Sequence, residues 1–461
     1  MRRRDFLKYS GGGVALTAIG LPWGRAFAAC SVMGSGATVE FDLRIGPTTI
    51  TMIDGERFPA LAFNDRVPGP VIRVKQGRTV VLRVYNDTPE LHSLEITGIA
   101  GKWDIDPHSY AEASFEAKTC GSYIYHSRVD NSPLYRLLGL HGALIIYPDY
   151  DELRCDNKLI TPYDLDSLGA DSAIGKIFAA LGTTERFQSG NGCDGKWHPV
   201  EDPGQEYTLT EYSNQEKIWV LAQVDPKFNA LIQSDGSVPG KPSAAEVVAG
   251  WLPRYFTING RSGFDLSHAP DIVPSNYIGE PTLMRIMNVG LSHHANHIHG
   301  NHWLELTCSD LINSSGESIF DEEGHVTTSD TRPVDSGRVI PRRNVFEVDT
   351  LPMWPMQRKD VLLPFEIPPD IPYIRNDDGT VTPVQFNDMV RRGNNLELSG
   401  ATLKSKYEPF PLRFVMHCHV EMSTTAAGGN YPQGMVTHWQ INGGLGQREQ
   451  DANRRRRTAS L

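Results

Sequence analysis

Apolar positions along this chain come in short runs, not in helical stripes. From about Val39 to Pro148, segments rich in Val, Ile, Thr and Tyr are separated by Gly, Pro, Asn and Asp, the sign of β-strands and turns. Thr79 to Asn86 is one such strand. A second β-type region starts near Glu206, with Tyr207–Tyr212 and Lys217–Val224 as early strands and Phe414–Val420 as a late one. Asp151 to about Gly204 is mixed in composition and too short for another β domain. It reads as a linker plus insertion with one helix around Ala173–Leu181. The pattern predicts an all-β chain with domains at 38–150 and 205–445 and a polar, disordered tail at 446–461. Leu311–Asp335 and Asp370–Ser405 read as long loops, which often carry function and are expected to wall a substrate site.

The first 29 residues read differently. Arg3-Arg4-Asp5-Phe6-Leu7-Lys8 has the form of a twin-arginine signal, a weakly apolar run follows from Gly11 to Leu21, and Ala26-Phe27-Ala28 fits a small-residue cleavage site. The apolar run is short for a bilayer and broken by glycines, and no other stretch is long and apolar enough for a transmembrane helix. Export, to the periplasm or beyond, is therefore expected. Cys30 is a candidate for lipidation, although Phe27 fits that pattern poorly. The chain has a formal net charge of -11 while its leader is basic, so the remainder is more acidic still. That excludes a broad nucleic-acid-binding face; the Arg454–Arg457 run belongs to the tail. An exported protein can hold disulfides, and Cys155 with Cys193, flanking one irregular segment, is the favoured pair.

Candidate chemistry lies in the second region. On a strand, side chains alternate between faces, so His417 and His419 point one way and Cys418 the other. That offers a thiolate to one metal and two imidazoles to another, a few covalent bonds apart, and copper suits both ligand types. A buried free cysteine between two half-exposed histidines would read the same way, but a second cluster argues against it. His293, His294, His297, His299 and His302 put five histidines in ten residues, too dense for a solvated surface. Within it, His294, His297 and His299 form an H-x-x-H-x-H array. If its last part is extended, His297 and His299 share a face and His294 reaches elsewhere.

H-x-x-H-x-H followed over a hundred residues later by H-C-H resembles the multicopper oxidases. Pro68–Gly77 is similar to the opening of that family's first cupredoxin domain, and Tyr123–Arg128 with Gly139–Ile146 to its second motif and closing strand. Arg254–Gly260, Gly279–Gly290 and the pair Asp349–Leu351 with Asp360–Leu362 resemble its last domain. The resemblance implies tandem cupredoxin (Greek-key β-sandwich) domains, copper as cofactor, and oxidation of a small-molecule or metal-ion substrate such as a phenol. With only two such domains, it implies a cluster built between subunits, usually in a homotrimer. It assigns His294, Cys418 and an axial Met435 to a mononuclear copper. His126, His297, His299, His417 and His419 would remain for a three-copper cluster.

The chain departs from the family at several ligands. Glu95-Ile96-Thr97-Gly98 stands where the first motif reads H-x-H-G. His126-Ser127-Arg128 stands where the second reads H-x-H, and a guanidinium stays protonated and cannot ligate. Ser423 takes the place of the second mononuclear histidine, five residues after Cys418. No histidine follows until His438, which remains as an unusual fourth ligand. His92 reads as a non-ligand, and Met353, Trp354 and Met356 as packing. The expectation is a copper-binding oxidoreductase with an incomplete three-copper site. The alternatives are a copper-depleted envelope scaffold and a copper storage or delivery protein.

Overall fold

The run-and-turn pattern folds as strands almost throughout. Residues 38–147 supply β1 (Thr38–Thr51), β2 (Arg57–Phe63), β3 (Ile72–Lys75), β4 (Thr79–Asn86), β5 (His92–Ile96), β6 (Ile99–Ile105), β7 (Tyr110–Glu116), β8 (Gly121–His126) and β9 (His141–Tyr147), with the short helix α1 (Leu134–Leu137) before the last. They form two sheets, ordered β2-β1-β4-β7 and β3-β9-β8-β5-β6. β4 shows why: Val80, Leu82, Val84 and Asn86 turn inward at every second position. Leu43, Ile45, Leu94, Ile105 and Leu144 meet them in the core.

The second half begins with β10 (Glu216–Val224), α2 (Pro226–Asn229), α3 (Ala244–Gly250), β11 (Tyr255–Ile258), α4 (Gly263–Ser267), β12 (Ser275–Asn276) and β13 (Thr282–Asn288). β14 (His294–Ile298), β15 (Trp303–Ile312), β16 (Val334–Val348), β17 (Thr350–Met353) and β18 (Arg358–Leu363) follow. Two hairpins, β19 (Tyr373–Arg375) with β20 (Val381–Pro383) and β21 (Met389–Arg392) with β22 (Asn395–Leu398), lie where sequence reading expects one long loop. The chain closes with β23 (Leu412–Cys418) and β24 (Val436–Ile441). A six-stranded sheet, β11-β10-β13-β18-β15-β16, faces a five-stranded one, β12-β24-β23-β14-β17. The two sandwiches are the all-β, tandem cupredoxin architecture that the motifs imply. One expected strand is shorter than its sequence suggests: β23 stops at Cys418, and His419 and Val420 lie in the bend beyond.

The structure, a computed structural model, describes residues 38–75, 77–118, 121–147, 216–278, 282–312, 334–365, 373–375, 381–383, 389–392, 395–398 and 410–444. The leader, Cys30, Cys120, Cys155, Cys193, the helix expected at Ala173–Leu181, the Tyr207–Tyr212 strand and the tail lie outside the described residues. Among the described residues, no helix is long and apolar enough to cross a membrane, and Cys308 and Cys418 are buried.

β10, β13 and β18 are buried at every position, because one face covers their own core and the other meets the first sandwich. Ile124, Ala143 and Ile145 pack there on Ile218, Val220, Ala222, Met287 and Val289. Charge crosses the same interface. Glu216 accepts from Arg73 at 2.7 Å and from Arg285, Arg285 lies 3.4 Å from Asp360, and Ser122 donates to Asp360 at 2.6 Å. Burial alone would raise the Glu216 carboxyl, but Arg285 and Arg73 outweigh it and hold it down at about 2.

Removing one partner strands the other charge in a dry interface, which costs about 3–5 kcal/mol. Arg285→Ala is expected to lose that much in denaturant unfolding. Glu216 stays ionised in the fold down to about 2, while its ordinary value is 4.5. Its contribution is therefore complete above that ordinary value and is lost as pH falls through it toward the folded one. The acid-side decline in stability of the native protein is expected to flatten in Arg285→Ala, measured as unfolding midpoint against pH.

Candidate metal centre

The two histidine motifs meet in one ladder. β14 runs antiparallel to β23 and pairs Asn296 with Cys418, His297 with His417 and Ile298 with Met416. On β14, His294, Asn296 and Ile298 are buried while Ala295 and His297 turn outward. On β23, Met416 and Cys418 are buried and His417 is not. Strand alternation therefore sends Cys418 and His294 into the sandwich and His297 and His417 to its outer face, as the sequence implies.

Inside, Cys418 Sγ lies 3.6 Å from His294 Nδ1. Ligands at about 2.0 and 2.3 Å on one tetrahedral ion stand roughly 3.5 Å apart, so this pair fits a single metal. The backbone N–H of Ala295 donates to the sulfur at 3.3 Å. Met435 is buried in the same apolar cluster, with Met353, and its carbonyl accepts from the Cys418 N–H at 3.2 Å. Met353 enters because β17 pairs it directly with His294. Burial, and then His293, pushes the His294 imidazole down to about 3, so the ring is neutral at ordinary pH. Its Nε2 is 2.8 Å from the amide nitrogen of Gln223.

Ser423 is buried and its hydroxyl donates to the Val420 carbonyl at 2.7 Å. Among the described residues, no imidazole replaces it. His438 does not fill the gap: β24 pairs it with Val415, on the outer face, while Thr437 and Trp439 turn inward.

Outside, four imidazoles converge. His419 Nε2 lies 3.1 Å from His297 Nδ1, His299 Nε2 3.2 Å from His417 Nε2, and His297 Nδ1 3.4 Å from His417 Nε2. Ligand atoms of His297, His417 and His419 all fall within 4.8 Å of one another. Nitrogens bound at about 2.0–2.1 Å to one tetrahedral ion stand roughly 3.3 Å apart, so these spacings also fit one ion. Burial first, then the neighbouring imidazoles, lowers His297 and His417 below the usual histidine value, which keeps their lone pairs free. His293 and His302 of the dense array are exposed and stay outside the group.

Among the described residues, the first sandwich contributes no ligand to this convergence within the chain. His126 sits on β8 opposite Glu95 and His141. It is buried and pushed down to about 3 by burial and then Arg136. Arg128 pairs with Glu95 at 3.6 Å, so the positions that depart from the family motif are engaged with each other. His92 is a core residue, 3.0 Å from the Thr88 hydroxyl and edge-on to Tyr135. β8 packs against β13 and β18, on the six-stranded sheet, whereas all four outer histidines lie on the five-stranded one or just past its strand ends. Sequence reasoning missed Gln223. The available signal is that it is the lone polar residue in the run Ile218–Val224.

A multicopper oxidase family model matches residues 44–151. Copper resistance protein A of Escherichia coli is 32% identical over 161 residues, 31% of this chain and 25% of that protein. Laccase-2 of Botryotinia fuckeliana is 33% identical over 136 residues, 26% of this chain and 23% of that protein. The match thus spans about a quarter of the length of these curated relatives. Among solved structures, the blue copper oxidase from Nitrosomonas europaea aligns over 88% of this chain and 86% of that one, with a TM-score of 0.50 and 20% identity, a likeness of fold. Joined to an H-x-x-H-x-H strand laddered against an H-C-H strand, these matches make the chain similar to multicopper oxidases in sequence over residues 44–151 and in fold over most of its length.

Proposed function

We propose that this chain is an exported copper-binding oxidoreductase with one mononuclear thiolate centre and one histidine-only centre in place of a complete three-copper cluster. The observation that carries the reading is the division of His417-Cys418-His419 between two donor sets, 3.6 Å from His294 on one side and 3.1–3.4 Å from His297 on the other. Thiolate, imidazole and thioether together suit copper, as do clustered imidazoles. Copper held by a thiolate supplies one-electron chemistry. His294, Cys418 and Met435 would hold it on the inner side, and His297, His299, His417 and His419 on the outer side. The Cys418 backbone joins the two sets by a short covalent path, while the apolar cluster around Met416, Met435 and Trp439 excludes water from the thiolate.

The same reading takes 1–29 as the twin-arginine leader, 38–150 and 205–445 as the two domains, and a small-molecule or metal-ion substrate in the periplasm. The outer histidines face away from the chain's own domain interface, which supports a neighbouring subunit's first domain docking there in a homotrimer. That domain would bring the Glu95–Arg128 pair, and buried His126 beside it. A second reading, a copper-poor envelope scaffold, rests on that ion pair at the family's ligand positions.

Copper-reconstituted protein is expected to hold about two copper ions per chain, one for each donor set, with an intense visible thiolate-to-copper band. Metal analysis and absorption on one sample check both. Copper without the band would favour storage or delivery, and no stoichiometric copper in folded protein would leave the scaffold reading.

The two sites are expected to separate by mutation. Cys418→Ser should abolish the band and one ion while retaining the other. His417→Ala should keep the band and weaken the outer site by more than about tenfold, with little change in thermal stability because the side chain is half-exposed. Titration of each variant with copper reads both.

A further inference from the structure

Gln223 lies on β10, almost fully buried, and its amide touches three groups. The backbone N–H groups of Leu291 and Ser292 donate to its Oε1 at 2.9 and 3.3 Å. Its nitrogen faces His294 Nε2 at 2.8 Å. Two convergent donors decide which end of the amide is oxygen, because the reversed amide would set N–H against N–H. Gly290 makes the slot: a Cβ there would lie 2.1 Å from the Gln223 amide nitrogen.

An amide N–H only donates, so His294 Nε2 accepts and carries no proton. A neutral imidazole then keeps its single proton on Nδ1, the atom 3.6 Å from Cys418 Sγ. We propose that Gln223 is a positioning residue that locks His294 in its Nδ1-protonated tautomer and thereby sets how readily the inner donor pair takes a metal ion. The consequence for metal rests on the copper reading above; the tautomer itself does not. For a metal to bond Nδ1, the ring proton must leave that atom and Nε2 must carry one. That proton would face the Gln223 N–H, and the hydrogen bond between the two side chains is lost. Cys418 and Met435 supply sulfur donors, while Gln223 restrains the nitrogen donor.

Gln223→Glu converts the restraint into support. A carboxylate accepts from Leu291 N–H, Ser292 N–H and a protonated His294 Nε2 alike, which leaves Nδ1 bare. Histidine-selective 15N NMR on the metal-free protein is the first test. Native protein is expected to show His294 protonated at Nδ1 and bare at Nε2, and Gln223→Glu to show Nε2 protonated. Copper titration of the two proteins is expected to give at least about tenfold tighter binding in the variant, the scale of outer-shell effects on metal sites, with a stronger thiolate band.

Protonated Nε2 in the native protein would overturn the proposal, as would a folded Gln223→Glu with unchanged tautomer and affinity. Should Gln223→Glu not fold, Gln223→Met fills the slot without a donor, and an unshifted tautomer there refutes the lock. The tautomers as stated, with no copper taken up by either protein, would uphold the Gln223–His294 lock and defeat the copper reading instead.

Discussion

Three residue pairs in the β14–β23 ladder govern the chemistry of this molecule. Asn296 with Cys418, His297 with His417 and Ile298 with Met416 bring together motifs that are more than a hundred residues apart in sequence. Backbone bonds from His299 to Val415 and from His419 to Ala295 extend the pairing past the strand ends. Register is the constraint: a slip of one residue would turn every side chain of one strand to the other face, burying imidazoles and exposing the thiol. The apolar set Met416, Ile298 and Trp439 resists that slip, because each would lose its place in the core.

The docking of the two sandwiches decides what surrounds the ladder. The first sandwich covers the six-stranded sheet, through an apolar patch threaded by Glu216, Arg285 and Asp360. Charges in such a place add little net stability when paired but penalise any docking that separates them. Among the described residues, nothing covers Val415 on the outer face of the five-stranded sheet, where it is exposed beside the histidines. The inner side chains are dry and the outer ones wet, although Cys418 is directly bonded along the chain to His417 and His419.

Much of this was legible in the chain, and the limits have physical causes. Strands β4, β10, β13 and β23 follow from apolar runs and turns, and the two-sidedness of H-C-H follows from a period of two. The orientation of His438 was not legible, because it depends on which residue of β23 it meets, and that is set by the turn between Cys418 and Met435. The hairpins within 370–405 were missed because polar, glycine-containing sequence reads as loop. Gln223 stands out only as a polar residue in an apolar run. Its partners, Leu291, Ser292 and His294, come from a turn about seventy residues on, and nothing in the sequence joins them. The departures from the family's motifs at Glu95, Thr97, Arg128 and Ser423 are plain in the sequence, but not that Arg128 pairs with Glu95 or that Ser423 turns its hydroxyl to the backbone.

The turn that leads into His294 is held from both halves of the chain. Arg136, in the first sandwich, donates to the carbonyls of Val289 and Gly290, while Asn288 ties the turn to itself through Gly290 and Ser292. Neither half alone supplies that grip. A change at Arg136 in the first sandwich would therefore reach the entry to β14 in the second without touching the ladder itself. The two sandwiches are thus joined mechanically at the turn before His294 as well as across their apolar faces.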